Sequence, residues 1–236
     1  MLVSPGQLVE VDGYNMSVYR EGSGDTTLVF LSGGGTCSPI LDFKSLYSRL
    51  SDEFSIAVVE KFGYGFSDII GRKRDIDSIL EDTRSALAAA GAAAPYVLCP
   101  HSMSGLEALY WANKYTDEVS AIVGLDMAVP EYYDSMDINS PLMRAAGWAA
   151  NIGVTRLIPG ISDSDAIRHG TLSEREKGSL QSGFLSPDGN CEHDKRDRSG
   201  ERKCQDSGQY GRAAAPDAAI PFKRFWRNGL RHGSTA

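Results

Sequence analysis

Along the first 128 residues, compact apolar runs alternate with segments whose apolar residues recur every three or four positions. MSVYRE (16–21) and TLVFLS (27–32) predict two strands around the turn GSGD, since dense or alternating apolar stretches suit a pleated chain and glycine with aspartate suits its reversal. FSIAVVE (54–60), PYVLCP (95–100) and VSAIVGLDMA (119–128) have few polar interruptions and read as buried strands. Between them, DFKSLYSRLSD (42–52) spaces Phe43, Leu46 and Leu50 along one helical face. DIDSILEDTRSALAAAG (75–91) does the same with Ile76, Ile79, Leu80, Thr83 and Leu87, and Gly91 closes it. MSGLEALYWANKY (103–115) predicts a further helix. Strands alternating with helices call for a mostly parallel sheet covered on both faces.

Past residue 180 the pattern lapses. Between 186 and 212 only Cys191, Cys204 and Tyr210 belong to the apolar set, too little buried surface to offset the entropy of ordering the segment. Charge shifts at the same place. Residues 1–179 carry 14 Lys/Arg and 24 Asp/Glu, net −10, whereas residues 180–236 carry 10 and 7, net +3. The chain is therefore divided into a core (1–135), a lid or cap segment (136–180) and a divergent, largely disordered tail (181–236).

Composition then narrows the field. A net charge of −7 over 236 residues does not suggest a nucleic-acid partner. No apolar run reaches the ~18 residues of a membrane span. The opening MLVSPGQLVEVDG lacks the basic start and apolar centre of a signal peptide. The four cysteines show no C-x-x-C spacing and fit a reducing cytoplasm. Cys99, inside an apolar run, is expected as a buried small hydrophobe.

The candidate chemistry centres on YVLCPHSMSGLEALYWANKY (96–115), where a strand pattern gives way to a helix at Ser102. A nucleophilic serine on such a sharp turn usually stands in G-x-S-x-G, because the chain nearly touches itself there. Here Pro100 and Ser104 occupy the glycine positions and Gly105 follows. The competing reading of Ser102 is a helix N-cap. A reacting carbonyl also needs two N–H groups aimed at its developing oxyanion, one from the residue after the nucleophile and one from a loop after an earlier strand. Met103 and Gly34 are assigned these places, with Gly33 and Gly35 adjacent in FLSGGGTCSP (30–39). That loop lacks the G-K-[ST] of a nucleotide phosphate loop, and Ser38 stands where a dinucleotide loop needs its third glycine.

VDGYNMSVYREGSG, VFLSGGG, VVEKFGYGFSD, PYVLCPHSMSG and VSAIVGLDMAVPE follow in the order found in the α/β-hydrolase superfamily. Over about residues 9–165 the chain resembles its esterase, proline-iminopeptidase and epoxide-hydrolase side. Ser32-Gly33 stands where relatives usually carry His-Gly. The resemblance implies the α/β-hydrolase fold and a serine hydrolase of an ester or related acyl bond, with a small-molecule acyl substrate and no metal or organic cofactor. It further implies a triad in the order Ser, Asp or Glu, His. Asp126, ending a strand, is the candidate acid, or else a turn cap. Glu60 is expected to tie down the glycine-rich loop behind it. Of the four histidines, the resemblance places His101 beneath the elbow, His169 reads as part of the lid and His193 lies in the tail. His232 is the candidate base, or else a solvated tail residue. A frameshift near residue 184, a truncation with a divergent end, or a disordered extension would each produce this tail, and all three imply a sheet incomplete at its C-terminal strands. The alternative function is a catalytically impaired or non-catalytic fragment that binds a small apolar ligand.

Overall fold

The computed structural model describes residues 4–34, 36–72, 74–131 and 164–185. Strands β1 (Gln7–Val11) and β2 (Tyr14–Glu21) form an antiparallel hairpin closed by Asp12 and Gly13 at φ 51° and 79°. A two-residue hairpin turn of matching twist needs both residues in that left-handed region. β2 pairs antiparallel with β4 (Ser55–Glu60), and β3 (Thr27–Leu31) runs parallel between β4 and β5 (Tyr96–Ser102). β6 (Val119–Ile122) extends the sheet, giving the order β1-β2-β4-β3-β5-β6. β7 (Leu125–Met127) pairs with the end of β5.

All five residues of β3 and all six of β4 are buried, as their mainly apolar sequence suits for central strands covered on both faces. Successive side chains then serve opposite layers. Val29, Leu31, Ala57, Val59 and Leu98 face one cluster with α3 (Ile76–Ala89) and α4 (Ser104–Lys114), centred on Leu80, Leu87 and Trp111. Leu28, Phe30, Ile56 and Val58 face the other, with Ile40 and Tyr47. α3 begins at Asp75, whose carboxylate accepts from Ser78 N at 2.9 Å, and the chain leaves it through Gly91 at φ 76°.

Two expectations are corrected. The helical spacing over 42–52 resolves into two single turns, α1 (Pro39–Asp42) and α2 (Lys44–Tyr47). Pro39 starts the first turn early, and Phe43 at φ −91°, ψ 0° breaks the path so that Tyr47 is buried and its hydroxyl donates to Ile40 O. The stretch 119–128 is not one buried strand but β6 and β7, separated at Val123-Gly124 and half-exposed. Among the described residues no strand pairs with the outer side of β6, which leaves Val123 52% exposed.

Of the segment expected to be a lid, residues 164–180 are described. They include α5 (Asp165–His169) and the start of α6 (Glu174–Leu185). Leu172 and Leu180 pack on Cys37, Leu41 and Phe66, and Lys44 pairs with Glu176 at 2.5 Å. This segment therefore rests on α1 and on the loops that follow β3 and β4. Residues 136–163 and the tail from 186, with His193 and His232, lie outside the described residues. Among the described residues no helix is long and apolar enough to cross a membrane.

Candidate active site

Ser102 ends β5, Ser104 begins α4, and Ser102 has φ 52°. An L-residue in that region carries about 1–2 kcal/mol of steric cost, which persists only where surrounding contacts fix the backbone. Three contacts do so here. Ala128 N donates to Ser102 O at 2.8 Å. Gly33 lies so close that a Cβ on it would sit 2.8 Å from Ser102 Cβ and 2.9 Å from both His101 O and Met103 N. The buried Ser104 hydroxyl accepts from His101 N at 2.9 Å and lies 2.7 Å from Leu31 O and 2.8 Å from His101 O, both acceptors for its single proton.

The two departures from G-x-S-x-G now have physical accounts. Ser104 is small enough for the turn and staples it to the end of β3. Leu98 O accepts from Val123 N and Ser102 O from Ala128 N, so alternate backbone groups of β5 face β6 and β7. Pro100 shares that parity, and its missing N–H falls at the interruption between β6 and β7, where a ladder bond is not required. The glycine need is displaced to Gly105, where a Cβ would overlap Ala128 O.

The loop after β3 meets this turn. Gly34 is exposed, and a Cβ there would lie 3.4 Å from Met103 Cε. Gly33, Gly34, Ser102 and Met103 are thus brought together, while Gly35 lies outside the described residues. Ser32 is fully buried, and its carbonyl accepts from Lys61 Nζ at 2.8 Å.

Glu60, fully buried at the end of β4, accepts from Phe66 N at 2.8 Å and from Ser38 Oγ at 2.5 Å. It holds the glycine-rich loop 61–66 against the loop after β3, as expected for this residue. Burial pushes its carboxyl from 4.5 up to about 7, against the opposing pull of these hydrogen bonds. Its stabilising contribution is therefore fully present below about pH 4.5 and is lost as pH rises through about 7. The loss is on the order of 3 kcal/mol for a shift of that size. Asp42, raised to about 6 by burial, acts in the same direction. Glu60→Gln keeps an acceptor and cannot ionise, so urea unfolding at pH 5 and pH 8 should show a clearly smaller loss of stability in this variant than in wild type.

Asp126 lies on β7 beside the elbow, in a register that pairs His101 with Leu125 and Ser102 with Met127. It is exposed, has φ 49°, and its carboxylate has no hydrogen-bond partner among the described residues. The His101 ring meets Phe43 edge-on at 5.8 Å between centroids, and its buried Nδ1 has no hydrogen-bond partner among the described residues. His169 ends α5, exposed. No hydrogen bond joins a histidine to Ser102 or Asp126 among the described residues. Lys61, Glu107 and Ser38 were not anticipated as part of the site. Among the described residues no group of three or more His, Cys, Asp or Glu could hold a metal ion.

No protein-family model matches the chain. It is similar to the uncharacterized protein YbdG of Bacillus subtilis, 42% identical over 181 residues, which cover 75% of this chain and 56% of that protein. A second uncharacterized B. subtilis protein, YqjL, is 33% identical over 111 residues, 47% of this chain and 43% of that one. The chain spans about half the length of these relatives. Among solved structures, a point variant of a Pseudomonas aeruginosa protein assigned as an epoxide hydrolase superposes with a TM-score of 0.65 at 16% identity, over 95% of this chain and 74% of that one. The haloalkane dehalogenase DatA of Agrobacterium tumefaciens gives 0.61 at 17% identity, over 98% and 76%. An N-acyl homoserine lactone degrading enzyme gives 0.55 at 17% identity, over 77% and 66%. The chain has the α/β-hydrolase fold, a mostly parallel mixed sheet flanked by helices.

Proposed function

We propose that this chain hydrolyses an ester or related acyl bond of a small molecule through Ser102. Its Oγ attacks the acyl carbon and its proton passes to a histidine. The carbonyl oxygen becomes an oxyanion held by the N–H groups of Met103 and Gly34. Collapse of the adduct breaks the acyl–oxygen bond, and the leaving alkoxide takes the proton from the histidine. Water, deprotonated by the same base, then releases the acid and restores Ser102. Asp126 is the acid that orients the base, and His232 is the base. The observation that carries this reading is Ser102 at φ 52° between β5 and α4, with Gly33 packed directly against it. Likeness to a lactone degrading enzyme supports the acyl-bond class.

The second reading, a non-catalytic site for a small apolar ligand, is favoured by one feature. Asp126 is exposed and has no hydrogen bond to a histidine among the described residues. A fluorophosphonate decides between them. Covalent labelling of wild type that vanishes in Ser102→Ala supports the nucleophile, whereas labelling that survives the substitution, or none in wild type, removes it. Turnover of a short-chain aryl ester that His232→Ala abolishes would support His232 as the base.

A further inference from the structure

We propose that Lys61 and Glu107 form a buried ionic clamp that sets the glycine loop after β3 in register with the turn carrying Ser102, making both of them positioning residues of the site. The inference rests on the catalytic reading of Ser102 for its purpose, but its geometry stands apart from it.

Lys61 is 4% exposed, and its ammonium has three donors. All three find acceptors, Ser32 O at 2.8 Å, Glu107 Oε1 at 2.7 Å and Glu107 Oε2 at 2.9 Å. The three residues come from different parts of the sheet. Lys61 directly follows β4, Ser32 directly follows β3, and Glu107 lies in the first turn of α4. One cation therefore ties the loop after β3 to the helix that Ser102 introduces. The Ser32 hydroxyl is buried without a hydrogen-bond partner among the described residues, so the polar tether described for this residue is its carbonyl.

That tether controls direction. Ser32 O and Gly33 N belong to one planar peptide, so holding the carbonyl fixes the plane on which Gly33 enters. Gly33 is then wedged against Ser102, His101 O and Met103 N. With both sides of the loop pinned, Gly34 is left beside Met103, where the two proposed donors must converge.

Stability does not account for the pair. Desolvating two charges costs several kcal/mol per ion, and well-packed apolar replacements of buried pairs are often neutral or stabilising. An apolar pair could fill the space, but it could not hold a carbonyl in one direction.

The test is the double variant Lys61→Met/Glu107→Leu, which removes both charges together and strands neither. The control is Lys114→Met/Asp77→Leu, which removes a more exposed pair between α4 and α3. Fluorophosphonate labelling of Ser102 should slow about 10-fold to 100-fold in the first, as expected for a small misplacement of reacting groups, and stay at the wild-type rate in the control. NMR order parameters of the Gly33 and Gly34 amides should fall in the first variant while the rest of the spectrum keeps its dispersion. Wild-type labelling in the double variant, or unchanged order at both amides, would overturn the clamp. If wild type itself does not label, the hydrolase reading fails and the amide measurement still decides the clamp. Should the double variant not fold, Glu107→Gln keeps the size and one acceptor. Slower labelling with looser amides in that variant supports the clamp, and no change in either overturns it.

Discussion

Gly33→Ala is expected to reduce labelling of Ser102 by about 10²–10³-fold, the range seen when one oxyanion donor is lost. The added methyl would lie 2.8 Å from Ser102 Cβ and 2.9 Å from His101 O and Met103 N. Two of these are backbone atoms and the third is one bond from the backbone of a fixed turn, so none can swing aside. The loop must retreat, carrying Gly34 N–H with it. Gly34→Ala is the internal comparison. Its methyl would meet Met103 Cε at 3.4 Å, the end of a flexible side chain, and its N–H is retained. Labelling of Gly34→Ala should stay within about threefold of wild type, a change of roughly 0.7 kcal/mol. Equal rates in the two variants would mean that the loop does not serve Ser102.

Gly65→Ala should be strongly destabilising, costing about 3 kcal/mol or more. Gly65 has φ 50°, and a Cβ there would overlap the carboxylate of Glu60. Overpacking costs roughly 1–3 kcal/mol, the left-handed backbone adds about 1–2, and Glu60 could yield only by releasing Phe66 N or Ser38 Oγ. Against a typical total of 5–15 kcal/mol, the urea midpoint should fall sharply. Gly71→Ala, whose Cβ would meet nothing within 4 Å, should leave it nearly unchanged. A Gly65→Ala midpoint as high as that of Gly71→Ala would show that the carboxylate is not fixed.

Much of this architecture is written locally. β3 and β4 have continuous apolar centres, Leu28–Leu31 and Ile56–Val59, as suits strands covered on both faces, and α3 announces its ends with Asp75 and Gly91. The elbow is visible as a strand, a serine and a helix in succession. Features that depend on partners far along the chain are not. β1 alternates correctly, with Val9 and Val11 buried and Leu8 and Glu10 exposed, but five residues beside a turn are a faint signal. The interruption at Val123-Gly124 follows from lying at the sheet margin, which an apolar run does not disclose. Lys61 pairs with Glu107 46 residues away and Ser38 reaches Glu60 22 away, and the Lys61, Glu107 and Ser38 side chains would suit a solvated surface equally well. Asp126 is expected at a strand end but sits in the middle of the short strand β7, and its exposure depends on what covers the margin of the sheet.

The backbone of Ser102 also bears on evolution and engineering. At φ 52° glycine would fit without the penalty that a side chain carries there, so serine holds the position at a thermodynamic disadvantage of about 1 kcal/mol. Selection for durability alone would favour glycine at residue 102, and any screen that rewards heat resistance without assaying chemistry should drift toward it. On the proposed role of Ser102 as nucleophile, reactivity and ruggedness pull in opposite directions here, the situation in which stabilised variants tend to lose function. A thermostable form of this protein is therefore better sought away from the elbow, with residue 102 held as serine throughout.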